Sequence, residues 1–554
     1  MLKWFRQFLF FLSFLLLVYS CENCSKKSNG AKAVILQDST IYSKQNYSDL
    51  ILDSCFINEQ LENDKSVKAF IPDILAFYQR RNYQAAWFMN GVLTNSASNF
   101  LSMAKDYEEG FQDSSLHISS IQAIIEQQRI DAHFLESNQR EKMLLEIKLT
   151  ATFFRYAKKA YLGTDKNPKD LEWYIPRKKK SYETLIDSLV TDPQSFDKYE
   201  PISRMYKRLK AALIQYRNIE KQGGFPKVNM AEKKLSIGDS SIAVVALKKY
   251  FTVSGDYTGK DTSWHYTDEL QTAVIRFQKR MGLTSDGIIA NATIREVNIP
   301  VSERIRQIMI NMERLRWMPD DLPSEYFIVN IPEFRLHIFD NKKYVWSSDV
   351  VVGKQATSTV IFSGMLSMVA FSPYWNVPQS IIRNEILPIL KRNPGYLNKA
   401  NMEAVRGNIV LNPRRINWHA YSGSVPFTIR QKPGPENSLG LVKFLFPNSY
   451  NIYLHDTPAK ILFAQSNRAF SHGCIRVAEA ERLANYIFRN NLVFTSDSIT
   501  KLMNAGEEKT IRLVNPIPVF ICYFTSWIDH NGVLNFRKDI YEHDAKLAKE
   551  IFGN

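Results

Sequence analysis

The chain has 554 residues, 45% hydrophobic and 23% charged, with a formal net charge of +15. That length exceeds a single core and predicts three or four domains of about 100–200 residues each, and the composition excludes wholesale disorder. A basic surface suits nucleic acid, anionic lipid or an anionic wall polymer; with no Lys/Arg-rich run present, nucleic acid is disfavoured as a partner, and a solvated basic surface without a partner explains the charge equally well.

Lys3 and Arg6 precede an apolar run from Phe8 to Val18 that only Ser13 interrupts. A run of roughly a dozen residues fits a signal-peptide core better than a membrane-spanning helix of about twenty. Residues 1–20 are therefore expected to be a signal peptide. Val18-Tyr-Ser-Cys21 resembles a bacterial lipobox, which implies lipidation of Cys21 and a membrane partner, although Tyr19 stands where small residues are usual. Ordinary cleavage nearby and an uncleaved anchor are the other readings, and all three export the chain. Residues 21–47 read as a polar tether.

Residues 48–225 predict a helical scaffold domain. Leu144, Leu145, Ile147, Leu149, Phe153, Phe154 and Tyr156 follow a helical rhythm across Glu141 to Leu162. The aromatic, basic stretch Phe77 to Phe88 reads as a helix end packed into a core. Lys221-Gln-Gly-Gly-Phe-Pro226 then signals a boundary.

Residues 230–299 form a compact segment with helix-like runs at Ile242–Phe251 and Leu270–Gln278, closing on Gly282-Leu-Thr-Ser-Asp-Gly-Ile-Ile-Ala-Asn-Ala-Thr293. Its Phe277-Gln278 and Asp286-Gly287 elements resemble the small three-helix peptidoglycan-binding domain. Ala290 departs from the family's usual Gly. A purely architectural spacer is the alternative. Residues 301–318 predict a linker helix, with Ile305, Ile308, Met309, Met312 and Leu315 on one face.

From Tyr326 the texture becomes β-rich. Tyr326–Ile331, Arg335–Phe339, Ser348–Val352, Thr359–Phe362, Asn451–Leu454 and Val519–Phe524 are short strand-like runs. They predict a β-rich domain over 325–530, followed by a tail at 531–554. Residues 373–440 interrupt it with Pro373-Tyr-Trp-Asn-Val-Pro378, a helical Ile381–Leu387 and Lys432-Pro-Gly-Pro435. An insertion of that length just before a reactive motif is a candidate lid. The fold class expected is multidomain α+β.

Of the five cysteines, Cys24 lies beside Cys21, while Cys55 and Cys522 are far apart; no disulfide framework, metal site or cofactor is expected from them. Cys522 sits in an apolar run and reads as buried. Cys474 differs, with small, polar and cationic neighbours in Ser471-His-Gly-Cys-Ile-Arg476. Upstream, Tyr453-Leu-His-Asp-Thr-Pro458 supplies a second histidine, and fifteen residues separate His455 from Ser471. A cysteine beside histidines can become a thiolate nucleophile, with a histidine moving the proton.

The order His455, spacer, Ser-His-Gly-Cys, with Gly440-Leu-Val-Lys-Phe-Leu-Phe-Pro-Asn448 before it, resembles the signature of the L,D-transpeptidase catalytic domain, in the large multi-domain Gram-negative branch that also carries a peptidoglycan-binding module. The resemblance implies that Cys474 is the nucleophile, His455 the general base and acid, and His472 accessory. Asp456 would orient His455 through its backbone carbonyl or its carboxylate. A helical pattern from Ala478 to Phe488 predicts a helix N-terminus behind the turn, with the Gly473 and Cys474 N–H groups forming an oxyanion hole. Arg476 would bind a substrate carboxylate or make an internal salt bridge. Ser471 would orient His472, bind substrate or cap the turn. Tyr453 and Trp375 would line the site or simply pack.

By the same resemblance the expected reaction is peptidoglycan 3→3 cross-linking through a thioester, with stem peptides as donor and acceptor, on the periplasmic side of the envelope. A stem-peptide L,D-carboxypeptidase using the same site, and a catalytically idle wall-binding scaffold, are the alternatives.

Overall fold

A computed structural model describes residues 48–176, 181–191 and 203–553. The signal-peptide, tether and Cys21 readings fall outside these residues. The described residues divide into two compact units. One is drawn from the chain up to Gly163 together with 181–191, and the other from 164–176 and 203–553.

The first unit is helical. Its central helix, Gln139–Ala157, starts where the Asn138 side chain accepts from the Glu141 N–H, and it is buried almost continuously from Leu145 onward. Glu146 lies fully buried in it and accepts from the Ala86 and Trp87 N–H groups at 2.7 and 2.9 Å. Burial lifts its carboxyl to about 7. Phe77, Tyr78, Trp87 and Phe88 are all buried around it, so the aromatic stretch has a structural role. Cys55 is disulfide-bonded, which corrects the expectation drawn from cysteine spacing.

The expected helical domain at 48–225 ends earlier than its sequence boundary suggested. Helix Arg204–Lys221 belongs to the second unit, where it packs on helix Val301–Arg316. Tyr206 explains this: its phenol accepts from Arg316 Nη2 at 2.9 Å and lies under that guanidinium. Helices Ile242–Val253, Asp268–Arg280 and Asn291–Val297 make the small three-helix module, closed by a strand pair at Lys234–Leu235 and Ile289–Ala290. Gln278 ties its loop together, donating to Asp286 Oδ1 and accepting from the Gly287 N–H, both at 2.9 Å. Ala290 sits in extended backbone, φ −127°, where alanine fits without strain.

The β-rich domain is a nearly closed sheet. Its strands are β1 (Tyr326–Asn330), β2 (Arg335–Asp340), β3 (Lys343–Gly353) and β4 (Ser363–Phe371); four strands of the insertion come next, β5 (Trp375–Asn376), β6 (Met402–Arg406), β7 (Ile409–Leu411) and β8 (Thr428–Gln431). The domain resumes with β9 (Val442–Leu445), β10 (Leu454–His455), β11 (Ala469–Ser471), β12 (Ile475–Val477) and β13 (Lys509–Cys522). The sheet order is β11-β3-β12-β10-β9-β4-β13-β1-β2, and β2 pairs back onto β3 to close the ring. Alternating residues such as Val350, Leu366, Val442, Phe444, Leu454, Ile475 and Val519 fill its interior.

The run Thr359–Phe362 is not a strand; β4 begins at Ser363. Thr359 instead spends its hydroxyl outside any ladder, donating to the Gly473 carbonyl and accepting from the Gly353 N–H. The insertion folds around its own sheet, β7-β6-β8-β5, and its own core of Ile382, Leu390, Leu397, Ala404 and Ile429. The expected tail also folds. Strand Leu534–Phe536 pairs with Ser526–Ile528, and helix His543–Phe552 is pinned by Asp544 against Arg314 at 2.5 Å and Thr525 at 2.7 Å.

Candidate active site

Strand register assembles the site. β10 lies between β9 and β12, pairing antiparallel with the first and parallel with the second. Lys443, His455 and Arg476 are direct partners across the three strands, so they form one lateral row. His455 is only 4% exposed. Burial and the flanking Arg476 and Lys443 cations push its imidazolium down to about 3. It is therefore neutral. Its Nδ1–H donates to the Asp456 backbone carbonyl at 2.5 Å, which leaves Nε2 as the acceptor.

Of the two ways Asp456 might orient His455, the structure has the carbonyl. The Asp456 carboxylate is engaged elsewhere, by Lys460 Nζ at 2.6 Å and the Leu441 N–H at 3.0 Å. Gly440 permits that contact. Its backbone is at φ +62°, and a Cβ there would come within 2.3 Å of Asp456 Oδ2.

Cys474 stands one residue before β12, half-buried, with Sγ–H directed at the Asn451 carbonyl at 3.5 Å. Burial raises its thiol, while the Tyr453 main-chain N–H and phenol and the Lys443 and Arg476 charges act in the opposite direction. The Tyr453 ring lies 4.0 Å under Lys443 Nζ and 5.7 Å from the His455 ring, so Tyr453 belongs to the site. Arg476 makes no ion pair among the described residues, and its buried Nε has no acceptor; the internal salt bridge is not formed.

Other expectations are corrected. Cys474 runs into strand β12, and the following helix begins only at Ala480, so no helix N-terminus stands behind the turn. The Gly473 N–H donates to Ser471 Oγ at 3.1 Å and is committed to the turn. Gly473, at φ +117°, serves the shape of the turn. Ser471 donates onward to the Cys474 carbonyl at 2.6 Å, so both of its capacities cap the turn and neither orients His472 nor faces substrate. Trp375 pairs with Gln431 in the insertion sheet and packs on the insertion core.

His472 is exposed and meets the insertion: its Nε2 is 2.8 Å from Glu385 Oε1. Glu385 lies in a π-helical turn, Ile382–Ile386. Thr357 and Lys354 hold the Ser471 carbonyl from the other side, at 3.1 and 3.0 Å. Sequence reasoning missed Lys443, Glu385, Thr357 and Thr359. Lys443 was visible as a lone cation in the apolar run Leu441–Phe446; the other three carry no local signal.

Three family models match the chain: the L,D-transpeptidase catalytic domain over residues 324–494, a "Scaffold domain" over 72–213, and a "Putative peptidoglycan binding domain" over 240–296. Residues 324–494 are thus similar to the L,D-transpeptidase catalytic domain. A Haemophilus influenzae protein named "Putative L,D-transpeptidase" is 34% identical over 257 residues, 46% of this chain and 50% of that protein. The chain thus matches about half the length of this curated relative. Among solved structures, the L,D-transpeptidase of Xylanimonas cellulosilytica is 11% identical and covers 53% of this chain and all of its own, at a TM-score of 0.17. That of Stackebrandtia nassauensis is 11% identical, covers 53% of this chain and 97% of its own, and scores 0.21.

Within residues 324–494 the arrangement can perform one kind of chemistry. A thiol, a neutral imidazole with Nε2 left as acceptor, and two cations without an ion pair among the described residues meet on one face of three neighbouring strands. This set can add sulfur to a carbonyl and shuttle one proton beside carboxylate groups. The Cys474 N–H has no partner among the described residues and is a main-chain donor left open at the turn.

Proposed function

We propose that this protein is a cell-wall L,D-transpeptidase that forms 3→3 cross-links from tetrapeptide stems. The observation that carries the reading is the contact of His455 Nδ1 with the Asp456 carbonyl, which leaves Nε2 as acceptor on the strand paired with the one that Cys474 leads into. Cys474 Sγ attacks the carbonyl of the third stem residue, a diamino acid. His455 Nε2 takes the thiol proton and delivers it to the departing amine of the terminal D-alanine, leaving a thioester. The side-chain amine of a second stem then attacks the thioester. Its proton passes through His455 back to the sulfur, and the new amide is the cross-link. The Cys474 N–H supports the oxyanion in both steps, and Arg476 anchors a donor carboxylate. The neighbouring module suits retention on the sacculus. An exported, lipid-anchored location through Cys21 completes the reading, and Cys21→Ala would then release the protein from membranes.

Incubation of the purified protein with tetrapeptide muropeptides tests this. The expected result is an acyl adduct on Cys474 by intact mass, followed by dimers. Accumulation of tripeptides alone would make it a carboxypeptidase, and no adduct with sacculus binding intact would make it a scaffold.

A further inference from the structure

We propose that Lys443 is a specificity-determining residue that holds the terminal carboxylate of the donor peptide, while Arg476 holds a carboxylate on the half that stays with Cys474. This rests on the L,D-transpeptidase reading above. Lys443 stands opposite His455 on β9, and Arg476 stands opposite it on β12, the strand that Cys474 leads into. His455 thus separates two cations. Both cations act on the Cys474 thiol, Lys443 through an ammonium held over the Tyr453 ring. Arg476 lies two residues from Cys474 on the strand it leads into and is assigned the half that stays with the sulfur; Lys443, on the strand across His455, is left for the half that departs.

Both cations lack a counter-charge of their own. Lys443 is half-buried and makes no hydrogen bond or ion pair among the described residues; its ammonium is held over the Tyr453 ring. Glu508 is the carboxylate that influences it besides Cys474, and Glu508 Oε2 already accepts from the Tyr374 N–H at 2.6 Å. Arg476 has a buried Nε with no acceptor. Desolvated cations are costly without anions, and a row of two of them around a general base is built for an anionic ligand. A tetrapeptide ending in D-alanine brings a terminal carboxylate, and a diamino diacid at its third position brings a second.

The test measures acylation of Cys474 by two tetrapeptides that differ only in a C-terminal acid or amide. The wild type should prefer the acid in kcat/KM by about ten- to hundredfold, the range of a charge-assisted contact. Lys443→Met should lose that factor on the acid, mostly through KM, and lose clearly less on the amide, where any loss reads only the charge that Lys443 lends to Cys474 and His455. Lys443→Arg should restore much of the preference, and the wild-type ratio stands even if the Met variant folds poorly. Equal losses on both peptides, or an acid preference that survives in Lys443→Met, would overturn the assignment while leaving the donor reading intact. Acylation of the wild type by neither peptide would overturn both.

Discussion

The strand row that carries His455 and the turn that carries His472 hold the same side chain in opposite ways. His455 is enclosed by three strands, flanked by cations and fixed by a main-chain carbonyl. His472 is exposed and reaches one carboxylate, which belongs to a π-turn of the insertion. A proton shuttle needs a fixed tautomer and a geometry that does not wander, and the sheet supplies both. A side chain linked to an inserted subdomain instead reports where that subdomain is. The division of labour between two histidines follows from what holds them.

The largest effects should fall on the buried side. Cys474→Ala should abolish the acyl adduct, and His455→Ala should slow acylation by about 10²–10⁴-fold, both read by intact mass over time. Neither variant should reduce such sacculus binding as the module at 240–296 provides, since that module matches a putative peptidoglycan-binding domain and holds neither residue.

The pH response sharpens the same contrast. His455 stays neutral down to about 3, far below the ordinary imidazole value of about 6.5. Its acylation profile should therefore show no loss of activity near pH 6.5. The unfolded chain binds a proton at about 6.5 that the folded chain refuses until about 3, so stability should be full above 6.5 and fall as pH drops toward 3. Melting temperatures across that window, compared with those of His455→Asn, should show the variant's curve to be flatter. An inflection in wild-type acylation at 6.5 would mean that His455 is more hydrated than its enclosure indicates.

On the exposed side the effects should be moderate. Glu385→Gln should lower kcat/KM by less than about tenfold, because the pair is solvated and its charge screened. Glu385→Asp should recover part of the loss if the insertion positions the turn through His472. A loss comparable to that of His455→Ala would break the division between the two histidines.

Much of this was legible in the chain. Cys474 and His455 stood out as candidates because their order and spacing are properties of the chain itself, and the structure puts them at neighbouring strands. The helix at 301–318 and the three-helix module were visible because apolar periodicity is local. What escaped notice depends on register and closure. Lys443 becomes a site residue only because β9 pairs with β10, and Thr359 only because its loop meets Gly473. Residues Ala478 to Phe488 look helical, yet the sheet claims Ile475–Val477 first and displaces the helix from the cysteine. Ser471 offered three roles, and the turn took both of its hydrogen bonds.

The smallest effect should come from Asp456, and it separates two kinds of base. A carboxylate that orients a catalytic histidine is worth about 10⁴-fold in the serine-protease triad, where Asp-to-Asn substitution imposes the wrong tautomer. Here the orienting atom is the Asp456 backbone carbonyl, which substitution leaves in place. Asp456→Asn can still accept from the Leu441 N–H and loses the ion pair to Lys460, a lysine whose side chain is 54% exposed. An exposed partner of that kind contributes at most about 1 kcal/mol. Acylation by Asp456→Asn should therefore stay within about threefold of wild type, with a modest fall in melting temperature. Gly440→Ala should cost more stability than Asp456→Asn, since its Cβ would collide with the same carboxylate. A thousandfold loss of acylation in Asp456→Asn would mean that the carboxylate turns toward His455 when substrate binds, and the main-chain account of this base would have to be abandoned.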